Sequence, residues 1–333
     1  MTTTVPLIYS FPEFLGVADA VADHVISAQN STLYNTLDHN EIANIKLASL
    51  QHQGGSLLSI QPSASTSSVM STSNSLNHNI NNNNNNSHSN GRKKKEKKQK
   101  DIRFKIAISG GSLIKILQQG LLSRQDEIEW DRWDIYFADE RLVPFESPDS
   151  NYGQAKREIF DKITSSSKPP NIFHIDESLI NDPQECADDY EKLLIDNFAR
   201  KDSVKLPQFD LLLLGCAPDG HIASLFPNFG EQLREKLAWC MPVTKAPHGP
   251  ENRITLSVPV ICHAHRVAFV VEGLTKAPIM RIIMERPEKG LPSSIVNEGA
   301  AGRVSWFVDD DALKDCYDIT KKKYKYLSIP DPN

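Results

Sequence analysis

The sequence predicts an α/β fold: a Rossmann-like, mostly parallel sheet flanked by helices, interrupted by a disordered insertion. Three observations predict it. From Ile102 onward, short apolar runs alternate with stretches whose apolar residues recur at helical spacing. The runs, "DLLLLG" from Asp210 to Gly215 above all, are apolar without alternation, as suits strands buried on both faces of a parallel sheet. Between Pro62 and Asn90, 19 of 29 residues are Ser or Asn, too little apolar surface to offset the entropy of ordering.

Each element follows in order. Val5–Phe11 is expected as the first strand, and Phe14, Val17, Ala18, Val21, Ala22, Val25 and Ile26 mark one face of the helix after it. Because a folded segment comes before them, residues 35–101 are expected to be an insertion into one domain rather than a linker between two. Closure entropy grows slowly enough with loop length to permit this. The insertion ends in a basic run, Arg92 to Lys100. Strands are then expected at Phe104–Ser109, Asp134–Ala138, Phe209–Gly215, Arg253–Ile261, Arg266–Glu272 and Val304–Val308. Helices are expected at Ser112–Leu122, Cys186–Ala199, Gln232–Trp239 and Thr275–Glu285. Residues 1–34 and 102–315 thus make a single discontinuous α/β domain, and 316–333 a polar tail.

Composition narrows the function. The chain of 333 residues is long enough for a substantial core. Its net charge of −5 argues against a protein that coats nucleic acid throughout. The run Arg92–Lys100 is basic all the same, and suits either a solvated flank or a patch for RNA or an import receptor. No apolar run approaches the ~20 residues of a membrane span. No Lys or Arg precedes Lys46, so neither a secretory signal nor a transit peptide is expected. Five scattered cysteines without a CxxC pair indicate reduced thiols in a cytoplasmic or nuclear protein.

In open α/β sheets, ligands bind where strands end and helices begin, and four such junctions carry chemistry. Ser109-Gly110-Gly111-Ser112 joins a strand to a helix, and its backbone N–H groups suit a phosphate. "ADERLVP" places Asp139, Glu140 and Arg141 just past a strand. "GCAPDGHIASLFP" sets His221 two residues after Asp219 at the lip of the most apolar strand, where a histidine can act as a general base. In "EGLTKAP", Thr275 is expected to cap a helix, leaving Lys276 at a helix start where the macrodipole disfavours a cation unless an anion is near. Singly, each has an ordinary structural explanation: a tight turn, a surface ion-pair cluster, a structural histidine. Jointly they point to a sugar-phosphate enzyme.

At these residues the chain resembles a known family. "SGGS", "DIYFADERLVP…SN", "LLLLGCAPDGHIASLFP", "RITLSVPVI", "EGLTKAPI" and "GRVSWFVD" are similar, in order, to the motifs of 6-phosphogluconolactonases, within the glucosamine-6-phosphate isomerase superfamily. More narrowly they resemble the Sol-type branch, some of whose members are associated with tRNA export from the nucleus. The resemblance implies a small phosphorylated sugar lactone as substrate and no metal or cofactor. It implies His221 as catalytic base with Asp219 positioning or polarising that site, and Arg141 and Lys276 as phosphate ligands with Gly110, Gly111 and Ser112 supplying the cradle. Asn151 and Arg253 fall in family motifs and are expected to contact substrate. A zinc site at Cys262, His263 and His265 is disfavoured, because strand alternation would send His263 to the opposite face.

Two departures bear on activity. Where active lactonases commonly have Gly-Met-Gly, this chain has Gly215-Cys216-Ala217, and a methyl group would be costly if the last position required φ > 0. Ile222 follows His221 where lactonases commonly have Thr, which removes a hydroxyl. The competing expectation is a catalytically weak paralogue that acts in tRNA handling or as a binding protein. Deaminating isomerisation fits less well, since "DER" and "ASLFP" follow the lactonase pattern.

Overall fold

A computed structural model describes residues 6–34, 102–166, 168–199 and 205–326. The expected insertion, residues 35–101 with its basic run, lies outside the described residues. In chain order the elements are β1 (Leu7–Phe11), α1 (Phe14–Tyr34), β2 (Phe104–Ile108), α2 (Ser112–Ser123), β3 (Trp133–Phe137), β4 (Asp139–Arg141), α3 (Asn151–Glu158) and β5 (Asn171–Phe173). They continue with α4 (Pro183–Phe198), β6 (Leu211–Leu214), α5 (Gly230–Arg234), β7 (Cys240–Val243), β8 (Arg253–Leu256), α6 (Val258–His263) and β9 (Val267–Val271). The last are α7 (Ala277–Glu285), α8 (Pro292–Gly299), β10 (Val304–Asp309) and β11 (Lys321–Lys322).

Eight strands form one parallel sheet in the order β11-β1-β10-β9-β6-β2-β3-β5. The unbroken apolar runs are explained by what lies on each face. In β6, Leu211 and Leu213 enter the core shared with α1 and α2, while Leu212 and Leu214 enter the core shared with α4, α6, α7 and α8. Both layers must be apolar, so no polar residue alternates in the strand. Helices α1 and α2 cross closely because Gly120 has no side chain: a Cβ there would lie 2.3 Å from the Ala18 carbonyl oxygen.

Several boundaries differ from expectation. The apolar run Arg253–Ile261 is two elements, not one. β8 belongs to a separate antiparallel sheet, β4-β8-β7, and after Ser257 the chain turns into α6, with Pro259 in its first turn where a missing N–H costs nothing. Strand alternation therefore does not govern Cys262 and His263. The helix expected at Gln232–Trp239 stops at Arg234, because the Glu235 carboxylate accepts from the backbone N–H groups of Lys236, Leu237 and Ala238 and holds a turn. The segment expected as a polar tail adds β11 beside β1. It also buries Tyr324 against Tyr9 and Phe307, with its hydroxyl donating to Asp23 Oδ2 at 3.1 Å.

Candidate active site

The carboxyl ends of β2, β3, β6 and β9 meet at a pocket of about 120 Å³. Gly110, Gly111, Ser112, Arg141, His221 and Lys276, drawn from four separate stretches of chain, all line it. Ser109 ties two of those loops together, its Oγ accepting the Gly215 N–H at 3.0 Å.

The glycine loop is shaped by close approach. A Cβ on Gly110 would fall 1.7 Å from Asn151 Oδ1, and Gly111 sits at φ 73°, a conformation that favours glycine. Gly111 precedes α2 without any side-chain cap, so the first N–H groups of a 12-residue helix remain for a ligand. Asn151 starts α3 and is buried behind this loop, where its Nδ2 donates to the Asp139 carbonyl at 2.8 Å. Asn151 is thus a spacer between loop and sheet, outside the pocket lining.

Of the three charges in "DER", each has a different environment. Asp139 lines the pocket and accepts from Ser224 Oγ at 2.7 Å. Glu140 is buried at the start of α3 and accepts from the N–H groups of Arg141, Asn151 and Tyr152. Burial pushes its carboxyl up to about 7 against the pull of those donors. Its part is to cap α3. Arg141 reaches the pocket with Nη1 on the Asp149 carbonyl at 3.0 Å, while its buried Nε has no partner among the described residues. An arginine on a pocket wall, its guanidinium always charged, suits an anion.

The β6 loop turns at Ala217, whose carbonyl accepts the Gly220 N–H at 2.9 Å and whose N–H donates to the His221 carbonyl at 3.0 Å. His221 Nδ1 lies 2.7 Å from Asp219 Oδ1, which also accepts the His221 backbone N–H at 3.2 Å. A carboxylate only accepts, so Nδ1 carries the proton and Nε2 the lone pair. The ring packs on Phe226 at 4.5 Å between centroids. Burial holds the imidazole below the usual histidine range, opposed by the charge and hydrogen bond of Asp219. Burial thus favours the neutral imidazole, the form a base needs.

The two departures take a definite form. Among the described non-glycine residues only Ala223 and Lys245 have positive φ, so the backbone at Ala217 needs no glycine, although the residue does line the pocket. Ile222 is fully buried in the core and is not part of the pocket wall. Strain sits one residue on, at Ala223 with φ 47°.

Lys276 is the N-cap of α7; Thr275, expected to cap, lies in the short 3₁₀ turn before it. The Lys276 ammonium makes no hydrogen bond or ion pair among the described residues, and burial lowers its pKa against the pull of Cys216, Asp219 and Glu272. Burial holds the neighbouring Cys216 thiol up at about 12, so it stays protonated. Arg253 is 3% exposed and does not line the pocket. Among the described residues there is no cluster of three metal-ligating side chains, and no helix long and apolar enough to cross a membrane.

Sequence reasoning missed the buried chain Asn151–Asp139–Ser224–Arg253, which reaches the pocket wall only at Asp139 and joins residues from separate stretches of sequence. It also missed His248, whose Nε2 lies 3.6 Å from Asp219 Oδ2. No motif marks His248.

Residues 88–306 match the family model described as glucosamine-6-phosphate isomerases/6-phosphogluconolactonase. The chain is 62% identical over 327 residues to 6-phosphogluconolactonase-like protein 1 of Saccharomyces cerevisiae, covering 98% of each chain. It is 47% identical over 213 residues to the probable 6-phosphogluconolactonase of Schizosaccharomyces pombe, covering 63% of this chain and 82% of that one. Among solved structures, the 6-phosphogluconolactonase from Leishmania guyanensis superposes with a TM-score of 0.59 at 19% identity, over 92% of this chain and 97% of that one, a likeness of fold.

Proposed function

Because the chain belongs to the glucosamine-6-phosphate isomerase/6-phosphogluconolactonase family, we propose that it hydrolyses 6-phospho-D-glucono-1,5-lactone to 6-phosphogluconate with His221 as general base. The observation that carries this is the Asp219–His221 pair at 2.7 Å beside two pocket cations and an uncapped helix start. In this reading the phosphate lies against Arg141, Lys276 and the N–H groups of the Gly110–Ser112 loop. His221 Nε2 takes a proton from water as the water oxygen bonds to the lactone carbonyl carbon. The ring C–O bond then breaks, and the imidazolium returns its proton to the departing ring oxygen. Asp219 holds the tautomer and offsets the transient positive charge. Acid–base catalysis of this kind contributes roughly 10²–10⁴-fold.

The test is lactone hydrolysis by the purified full chain, corrected for spontaneous opening, beside His221→Ala. Turnover that vanishes in the variant, with 6-phosphogluconate still bound, is the expected result; equal rates in both refute it.

One observation favours a second reading, binding without turnover: the Ala217 methyl group lines the pocket where lactonases commonly have glycine. That reading assigns Arg92–Lys100 to tRNA or an import receptor. It expects RNA affinity that falls with salt and disappears when Arg92–Lys100 is deleted; affinity unchanged by the deletion refutes it.

A further inference from the structure

Arg253 is buried, yet its donors turn away from the pocket. Nε donates to the Pro250 carbonyl at 3.0 Å, Nη2 to the His248 carbonyl, and Nη1 to Ser224 Oγ at 3.4 Å, with the guanidinium over the Phe226 ring at 5.4 Å. The loop it holds runs from Lys245 to Glu251 and is closed by the Ala246 N–H on the Glu251 carbonyl at 3.0 Å. Lys245 has φ 58°, uncommon for a side chain of its kind, and Gly249 has φ 65°. A buried guanidinium and a strained residue are thus committed to shaping one short loop.

That loop presents His248. The ring is 67% exposed, and its Nε2 lies 3.6 Å from Asp219 Oδ2, the oxygen that His221 leaves free. The separation is too long for a hydrogen bond but close enough for an ion pair once the imidazole is protonated.

We propose that His248 is a positioning residue, which through Asp219 holds His221 in the orientation and protonation state that base catalysis needs. The proposal rests on the reading of His221 given above. A carboxylate anchored by one oxygen can swing about its own bond; an imidazolium beside the second oxygen would fix its plane. When His248 carries a proton, its charge also makes a further proton on His221 less favourable. The other charged groups about this contact include Asp139, Glu140 and Arg141 on β4, Asp149 beyond it, Arg253 on β8 and Lys276 at the start of α7. Lys245 and Glu251 stand on the loop itself. Besides the two histidines, Glu140, pushed up to about 7 by burial, changes charge in the same range, and it does so alike in wild type and variants.

The test is an NMR pH titration of the histidine rings in the full chain, with His221 assigned by its loss in His221→Ala. It is run for wild type, His248→Gln and His248→Lys, and needs no turnover. In His248→Gln the His221 midpoint is expected to rise by about 0.3–0.7 pH unit, the size of a partly screened charge contact. In His248→Lys it stays at or below the wild-type value. With lactone, His248→Gln is expected to lower kcat about threefold to tenfold while KM moves less than about twofold. The acid limb of the rate profile should follow the titration. A midpoint unmoved in His248→Gln, or a Lys variant that behaves like Gln, overturns the proposal. If the midpoint moves while wild type shows no turnover, the hydrolysis reading fails and the positioning contact stands.

Discussion

Asp219→Asn removes one charge and almost no volume, so it isolates what the carboxylate does. Asp219 Oδ1 accepts from both Nδ1 and the backbone N–H of His221, at 2.7 and 3.2 Å. An asparagine that turns its NH₂ toward the ring demands a lone pair on Nδ1, which moves the proton to Nε2, the atom that must receive it from water. The variant then forfeits most of the general-base contribution, about 10³-fold in kcat/KM, or about 4 kcal/mol of barrier. The pH dependence has a definite sign. Burial already lowers the His221 pKa, and Asp219 is what raises it, so losing the carboxylate lowers it further. The acid limb should move to lower pH in whatever activity remains. Stopped lactone assays between pH 4.5 and 8, corrected for spontaneous hydrolysis, measure both quantities, and 6-phosphogluconate affinity checks that the pocket survives. A loss under tenfold, or a limb that moves to higher pH, would refute the base assignment.

Gly110→Ala should cost about 1–3 kcal/mol or more and weaken phosphosugar binding, because its Cβ would fall 1.7 Å from Asn151 Oδ1 and drive the loop off α3; thermal melts and titration calorimetry read both. Ala217→Gly should lower stability by about 0.4–1 kcal/mol, because the backbone there already suits alanine and glycine only loosens the unfolded chain. If the methyl group obstructs the lactone, the same variant raises turnover, whereas an inert wild type and an inert glycine variant together favour the binding reading. Tyr324→Phe removes the hydroxyl bonded to buried Asp23 and should cost about 1.5–3 kcal/mol by denaturant unfolding, with lactone turnover unchanged.

What was legible in the sequence was what a short stretch of chain decides alone. Runs such as "LLLL" need apolar layers on both faces whatever those layers are, so a parallel sheet was readable from them. Two adjacent glycines before an amphipathic stretch specify a strand-to-helix turn with free N–H groups. The pairing of His221 with Asp219 was readable too, since two residues of separation keep the side chains within reach. The run Arg253–Ile261 misled because apolar β-branched residues serve a buried strand and a buried helix equally well, and only Pro259 hinted at the break.

The tertiary structure decided everything that depends on residues distant in the chain. It carried Arg141 and Lys276 to one pocket and took Asn151 and Arg253 behind it, because the ends of different strands meet only once the sheet is ordered. Burial gave Glu140 the work of capping α3 and left Arg141 with an orphaned N–H, and burial has no local signature in sequence. The same holds for His248, which stands 29 residues from Asp219 on a loop that Arg253 holds through the His248 and Pro250 carbonyls. Local pattern fixed which groups the chain possesses; the register and order of the strands, a balance summed over the whole core, fixed which of them meet.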